Sequence, residues 1–332
     1  MTVEFTVVMP TYNRGDLIAE TLDSVLAQTY QPREIIVIDG GSSDNTQEVL
    51  ARYAGRVLSK KIAERAVQPK RNLGIGLAKT NWIAFCDSDD IWLPTYLEKQ
   101  AALLEAEPGI GMSFANFRIL RQGRVEAGTK FDEAPAGYWE SVGVRHLPQG
   151  WVFDQSLAGA SFRFHPMFPS AMVMSKALAT TVGGFNSNLP PQAEDGEFTL
   201  RCLYNSKAAA LPEPLVHIRK HGANISGDLV PRLLAEVDSL RHIRDNHPEA
   251  QAYHPIIDDE IAIRTEMAFN AAFARKDHAM VAALFGRLPA SRRSLKSRMK
   301  NVVARMPDFL AMPLNASLQA LVGGKATDSG VR

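Results

Sequence analysis

Three observations predict an open, doubly wound α/β sheet followed by a helical extension. Short apolar runs at residues 5–9, 34–38 and 82–86 alternate with amphipathic stretches. Runs this continuous suit strands buried on both faces of a parallel sheet. Acidic clusters stand at the ends of the second and third runs, and sheets of this kind bind ligands beyond the carboxyl ends of their strands. After Ser226 the pattern turns helical throughout, with no strand-like run.

Taken in order, residues 5–9 read as the first strand. Leu17, Leu22, Val25 and Leu26 then keep a helical period. Residues 34–38 read as the second strand, and 44–53 as a second helix with Ser42 or Ser43 as its cap. With the third run, the order becomes β-α-β-α-α-β. Residues 111–170 are rich in Gly, Pro and aromatics, among them Tyr138, Trp139, Trp151, Phe153, Phe162, Phe164 and Phe168, and predict loops or short strands. Residues 169–175 read as another strand and 194–204 as another helix. There is no internal repeat.

The 332 residues suit one large domain plus an extension. With 45% hydrophobic and 22% charged residues, the chain is neither disordered nor fibrous. A formal net charge of +1 lacks the basic excess of a sequence-independent nucleic-acid binder. That balance hides an asymmetry: residues 226–332 hold 15 basic and 12 acidic side chains. No acid lies between Asp277 and Asp308, a gap that contains Arg287, Arg292, Arg293, Lys296, Arg298, Lys300 and Arg305. Cys86 and Cys202 are too few for a disulfide framework or a four-thiolate zinc site. The amino-terminal residues predict no secretory signal and no run predicts a membrane span, so the expected compartment is the cytoplasm.

Three acidic clusters carry the candidate chemistry. Asp39 ends the second strand and is followed by Gly40, Gly41, Ser42, Ser43 and Asp44. Glycines there admit a ligand close to the backbone, and the next helix N-terminus favours an anion. A plain strand–turn–helix connection with Asp44 as cap fits the pattern equally. Asp87, Ser88, Asp89 and Asp90 directly follow the strand WIAFC. In extended chain Asp87 and Asp89 share a face, and two such carboxylates suit Mg²⁺ or Mn²⁺ carrying phosphate. Asp90 reads as a cap for the next helix. Glu194 and Asp195 open an amphipathic segment, where the helix dipole favours acids whatever their function.

Four segments occur in order: VVMPTYNR at 7–14, VIDGGSSDNT at 37–46, KRNLGIGLAKTNWIAFCDSDDIWLP at 70–94 and GGFNSNLPPQAEDGEFTLR at 183–201. Together they resemble the sequence blocks of the family 2 glycosyltransferases. The resemblance covers about residues 5–225 and implies the GT-A nucleotide-diphospho-sugar transferase fold, dividing the chain into a catalytic domain at 1–225 and a helical extension at 226–332. It implies that Pro10, Thr11, Tyr12 and Arg14 line a nucleotide pocket, with Asp39 on the base and Arg71 near the diphosphate. Many members carry two adjacent aspartates where this chain has Asp39 and Gly40. The DxD motif falls on Asp87, Ser88 and Asp89 and implies a divalent ion, Mn²⁺ or Mg²⁺, held by the two aspartates against the donor diphosphate. The ED motif falls on Glu194 and Asp195, with Asp195 as the catalytic base of an inverting transfer. Trp92 is a candidate for packing on the sugar or acceptor, or for the core. Arg219 and His221 resemble the block that closes many family 2 domains; on a continuing strand they share a face and can close over the diphosphate, although a surface strand and loop fit as well.

The implied reaction moves a sugar from a nucleotide-diphospho-sugar to a hydroxyl of a saccharide or lipid-linked acceptor, in surface polysaccharide or glycolipid assembly. A haloacid-dehalogenase-like phosphohydrolase also places DxD after an apolar strand, and a non-catalytic nucleotide-sugar-binding relative is a third reading. A dinucleotide oxidoreductase needs G-x-G-x-x-G, but Lys79 stands where the third glycine belongs. His146, His165, His242, His247, His254 and His278 show no metal-ligand spacing. In the extension, Leu295, Met299, Val302, Val303, Met306, Phe309 and Leu310 recur at helical spacing among the cations. A basic amphipathic helix over 287–310 suits peripheral contact with the inner face of a membrane, or docking on the catalytic domain or on another subunit in a homo-oligomer.

Overall fold

The apolar runs become the parallel half of one eleven-stranded sheet. The structure, a computed structural model, describes residues 2–153, 157–189, 194–220 and 228–306. His221 and residues 307–310, both singled out above, lie outside the described residues. The chain divides into two units, Met1–Asn224 and Ile225–Arg332.

The first unit runs β1 (Phe5–Thr11), α1 (Ile18–Leu26), β2 (Glu34–Asp39), α2 (Thr46–Ala51), β3 (Leu58–Lys61), α3 (Val67–Leu77), β4 (Trp82–Phe85) and β5 (Ile91–Trp92). It continues through α4 (Tyr96–Ala106), β6 (Ile110–Arg121), β7 (Arg124–Thr129), α5 (Tyr138–Ser141), β8 (Val144–Leu147), β9 (Gly150–Phe153) and α6 (Ala158–Ser161). β10 (Met172–Ser175), α7 (Lys176–Thr181), α8 (Glu194–Asn205) and β11 (Lys207–Lys220) complete it. The sheet order is β3-β2-β1-β4-β10-β6-β11-β9-β8, with β5 paired to β11 and β7 to β6. β1 lies parallel to β2 and β4, and β10 pairs antiparallel with both β4 and β6. All seven residues of β1 are buried, as a strand covered on both faces requires. Thr11 lies opposite Asp39, so β1 and β2 end level and their loops leave side by side.

Three details differ from the sequence reading. β3 is an added parallel strand whose four residues, LSKK, are all exposed, so no apolar run announces it. The cap of α2 is neither Ser42 nor Ser43: Asp44 Oδ1 accepts the Thr46 N–H at 3.0 Å, while Ser42 turns back toward Asp39 and Asn13. The segment expected as loops or short strands contains the twelve-residue β6, central in the sheet. Its polar residues break the apolar run, and Asn116 and Ser113 are bonded in place. Asn116 Nδ2 donates to Thr129 Oγ1 and the Pro212 carbonyl, and Ser113 bonds Gln100.

α3 lies close against β1. A Cβ at Gly74 would sit 2.3 Å from Val8 Cγ1 in the core, whereas one at Gly76 would meet nothing within 4 Å. Gly74→Ala is therefore expected to cost about 1–3 kcal/mol by overpacking. Gly76→Ala should instead be neutral or stabilising by up to about 1 kcal/mol, because alanine loses less backbone entropy in a helix. Urea denaturation of the two variants checks this, and equal effects would refute the close-approach account.

The second unit is helical throughout its described residues: α9 (Leu229–Asn246), α10 (His254–Ala274), α11 (His278–Arg287) and α12 (Leu295–Val303). Asp228, Asp277 and Ser294 cap three of these helices by accepting the N–H of Val230, Met280 and Ser297. Its core gathers Val230, Leu233, Phe269, Phe273, Val281 and Leu284 with Val303.

Candidate active site

The loops after β1 and β2 are stitched together. Asn13, in the left-handed region at φ 50°, donates its N–H to Ser42 Oγ at 2.8 Å and accepts the Ser43 N–H at 2.9 Å. The Arg14 N–H donates to Thr46 Oγ1 and the Gly15 N–H to Asp44 Oδ2. Pro10 and Thr11 are buried at the end of β1, with the Thr11 hydroxyl unpartnered, so of the first block only Tyr12, Asn13 and Arg14 keep part of their surface. Asp39 is fully buried: Oδ1 accepts from the Ser42 N–H at 3.0 Å and hydroxyl at 2.6 Å, and Gln47 Nε2 donates to Oδ2. The expected base contact would require one of these partners to yield. Gly40, expected to admit a ligand, admits the protein instead, since a Cβ there would lie 2.6 Å from the Glu64 carbonyl.

The acidic cluster after β4 is a turn rather than extended chain. The Asp90 N–H donates to the Asp87 carbonyl at 3.2 Å, so strand alternation does not align Asp87 with Asp89. Each carboxylate is instead met by its own arginine. Arg71 Nη2 reaches Asp87 Oδ1 at 2.8 Å and Oδ2 at 3.1 Å, and Arg14 Nε reaches Asp89 Oδ2 at 3.3 Å. Asp90, 1% exposed, is no helix cap. Ser170 accepts the Asp87 N–H and donates its hydroxyl to Asp90 Oδ2 at 2.5 Å, while the Arg219 N–H donates to Asp90 Oδ1 at 2.8 Å. Asp90 thus ties the turn to β11 and to the segment before β10. Burial, with Asp89 and Asp87 adjacent, pushes its carboxyl well above the ordinary range. Ser88 is buried in the same turn.

α3 organises the rest. Residues three and four apart share a helix face, and Gln68, Arg71 and Asn72 together hold the segment leading into α8. Asn72 Nδ2 donates to the Phe185 carbonyl at 2.8 Å while its Oδ1 accepts the Phe185 N–H at 2.7 Å, and Gln68 Nε2 donates to the Leu189 carbonyl at 3.0 Å. The Arg71 guanidinium lies 5.1 Å from the Phe185 ring centroid, and its Nη1 reaches Glu194 Oε1 at 3.4 Å. One buried arginine therefore joins the first acid of the DxD turn to the first acid of α8. Sequence reasoning placed it near a diphosphate; here its fork is occupied by two carboxylates.

Asp195 stands beside this bridge, half-buried, with Oδ1 accepting the Gly196 N–H at 2.9 Å. Burial and the neighbouring Glu194 raise its carboxyl to about 7, against a lowering by Arg71. A carboxylate poised near neutrality suits a general base.

Two expectations change. Trp92 is 2% exposed, donates its indole N–H to the Ser170 carbonyl at 2.7 Å and packs against Tyr96, so it belongs to the core and offers no face to a sugar. Arg219 does reach the acidic turn, but Nε donates to the Asp89 carbonyl at 2.8 Å and Nη2 to Glu20 at 2.6 Å, holding the turn from outside rather than closing over a diphosphate. Sequence reasoning passed over Lys70. It is 4% exposed, donates to the Thr11 carbonyl at 3.1 Å and lies 6.0 Å from the Tyr12 ring centroid. Burial lowers its ammonium to about 8, with Asp87 the largest opposing influence. A lysine beside an arginine at the start of the third block was the available signal. A cavity of about 490 Å³ at the opposite, amino ends of the strands, lined by Val3, Trp82 and Ile110, carries only the carboxylate Glu105 and lacks this chemistry.

Acids past the carboxyl ends of the parallel strands of a mixed sheet, in a GT-A fold, define the class: a nucleotide-sugar transferase architecture. Residues 6–131 match the model of glycosyl transferase family 2. It is 33% identical over 122 residues to the Escherichia coli UDP-Glc:alpha-D-GlcNAc-diphosphoundecaprenol beta-1,3-glucosyltransferase WfgD, covering 36% of this chain and 47% of that one. The chain spans about half the length of the curated relatives it matches. S. aureus TarS 1–349 in complex with UDP-GlcNAc superposes with a TM-score of 0.63 at 17% identity, over 99% of this chain and 95% of that one. The mannosyltransferase PcManGT from Pyrobaculum calidifontis, in complex with GDP-Man and Mn²⁺, superposes at 0.54 and 20% identity, over 98% and 89%. These matches support neither the phosphohydrolase nor the non-catalytic reading.

Proposed function

We propose that the chain is an inverting glycosyltransferase that moves a sugar from a nucleotide-diphospho-sugar to a hydroxyl of a saccharide or lipid-linked acceptor. The observation that carries this is the Arg71 bridge, which gathers Asp87 of the DxD turn and Glu194 beside Asp195 into one site, Arg71 and Asp87 lying in the segment that matches glycosyl transferase family 2. Asp195 takes the proton of the acceptor hydroxyl as that oxygen bonds to the anomeric carbon. The bond from that carbon to the diphosphate oxygen breaks, its electron pair leaving with the nucleoside diphosphate, and the configuration inverts. Arg14, Arg71 and Lys70 supply cationic charge beside the acids, where a diphosphate would be oriented.

Asp87 and Asp89 offer only hard carboxylate oxygens, a donor set that fits Mn²⁺ or Mg²⁺. A bound divalent ion would supply Lewis-acid stabilisation of the departing diphosphate. The relatives include an enzyme named for a diphosphoundecaprenol-linked acceptor, which supports a lipid-linked acceptor here and a setting in surface polysaccharide or glycolipid assembly. We place the work in the cytoplasm at the inner face of the membrane, with the second unit's basic segment, 287–310, toward the lipid and a homo-oligomer as an open arrangement. Among the described residues no helix is long and apolar enough to cross a membrane.

Asp89→Ala is expected to weaken Mn²⁺-dependent donor binding at least tenfold, since a site built on two carboxylates loses one. Thermal shift with UDP-, GDP- and dTDP-sugars, with and without Mn²⁺, reads this directly, because a ligand specific for the folded state raises the midpoint. A donor that shifts the wild type and Asp89→Ala equally in Mn²⁺ would overturn the metal assignment, and release of phosphate from a simple phosphomonoester would overturn the transferase.

A further inference from the structure

α12 packs Val303 into the unit's core but otherwise turns polar side chains inward and an apolar stripe outward. It buries its polar side: Ser297, Lys300 and Asn301 are 5%, 7% and 9% exposed, and Lys300 Nζ donates to Asn270 Oδ1 at 2.7 Å. It exposes its apolar side: Leu295, Met299 and Val302 are 75%, 43% and 52% exposed. Their spacing of i, i+4, i+7 places them on one stripe. At 3.6 residues per turn, Lys296 borders the stripe on one side and Arg298, with Arg305 just past the helix, on the other. All three cations are exposed. The inward face is fixed by its contacts: Lys300 bonds Asn270 and lies over the rings of Phe269 and Phe273, and Val303 packs in the unit's core.

We infer that α12 docks on an anionic lipid surface, with Leu295, Met299 and Val302 entering the boundary between headgroups and acyl chains and Lys296, Arg298 and Arg305 meeting lipid phosphates. Apolar residues flanked on both borders by cations match an interfacial helix in both chemistry and geometry. No acid lies from residue 278 to 307, so the surface around the stripe attracts anions without internal competition from that stretch. A second copy of the chain fits less well. It would bring like-charged borders together, and three side chains fall far short of the roughly 1,200–2,000 Å² buried in a stable interface.

The test is co-sedimentation of the full chain with vesicles of phosphatidylcholine, with and without phosphatidylglycerol, and it does not depend on whether the first unit transfers sugar. Binding should be at least about tenfold tighter on the anionic vesicles and should weaken in high salt. The triple variant Leu295→Gln, Met299→Gln, Val302→Gln should lose most of that binding at an unchanged melting temperature, since all three side chains already face solvent. Binding that is absent on anionic vesicles, equal on neutral ones or unchanged in the triple variant overturns the inference. So does a wild-type dimer that the triple variant dissolves, which would put a second copy on the stripe.

Discussion

Asp195→Asn should lower kcat about 10²–10⁴-fold, the usual contribution of a positioned general base. That corresponds to roughly 3–5 kcal/mol of barrier. The substitution preserves shape, and the asparagine carbonyl oxygen can still accept the Gly196 N–H. It also removes a charge that burial and Glu194 both disfavour, so the folded state should be at least as stable near pH 8. Donor and Mn²⁺ binding should survive, since the ion is assigned to Asp87 and Asp89. The pH dependence has a definite sign. The base acts as a carboxylate and its proton leaves near pH 7. Wild-type kcat should therefore rise with pH through that region and fall away below it, and the cationic charge of a bound ion nearby would move the midpoint lower. The residual rate of Asp195→Asn should show no such limb. Near-normal turnover by the variant would remove Asp195 from the chemistry.

How legible this site was depends on how local each signal is. WIAFC followed by DSDD could be read as a strand ending in acids because both halves are contiguous, and β4 with its turn follows that reading. Asp87 and Asp89 were expected to align by strand alternation, yet the chain turns there, and what positions them is Arg71 from α3 and Arg14 from the β1 loop. Contacts across 16 and 75 residues leave no periodic trace. The same holds for Asn72 and Gln68, whose partners at Phe185 and Leu189 lie 113 and 121 residues away. β6 was hidden because Ser113, Asn116 and Arg118 interrupt its apolar run, while β3 was hidden because an exposed edge strand needs none. Trp92 shows the remaining ambiguity: an aromatic beside an active-site motif looks the same in sequence whether it faces a sugar or, as here, the core.

Arg71→Met tests whether the bridge is structural as well as functional. The guanidinium is 3% exposed, with three bonds to Asp87 and Glu194 and a face on Phe185. Methionine keeps the apolar stem over the ring but leaves two carboxylates without their cation. Removing one partner of a buried ion pair costs about 3–5 kcal/mol. The Asp87 side chain is 23% exposed, so water screens part of its share and the lower end applies. A loss of about 3 kcal/mol corresponds to a melting temperature lower by roughly 6–12 °C for a chain of this size. Glu194→Gln in the Arg71→Met background should restore part of the stability, which a merely volumetric defect would not allow. If Arg71→Met unfolds in urea at the wild-type midpoint, the two acids are not held by this arginine and the site has to be rebuilt around Arg14 and Lys70.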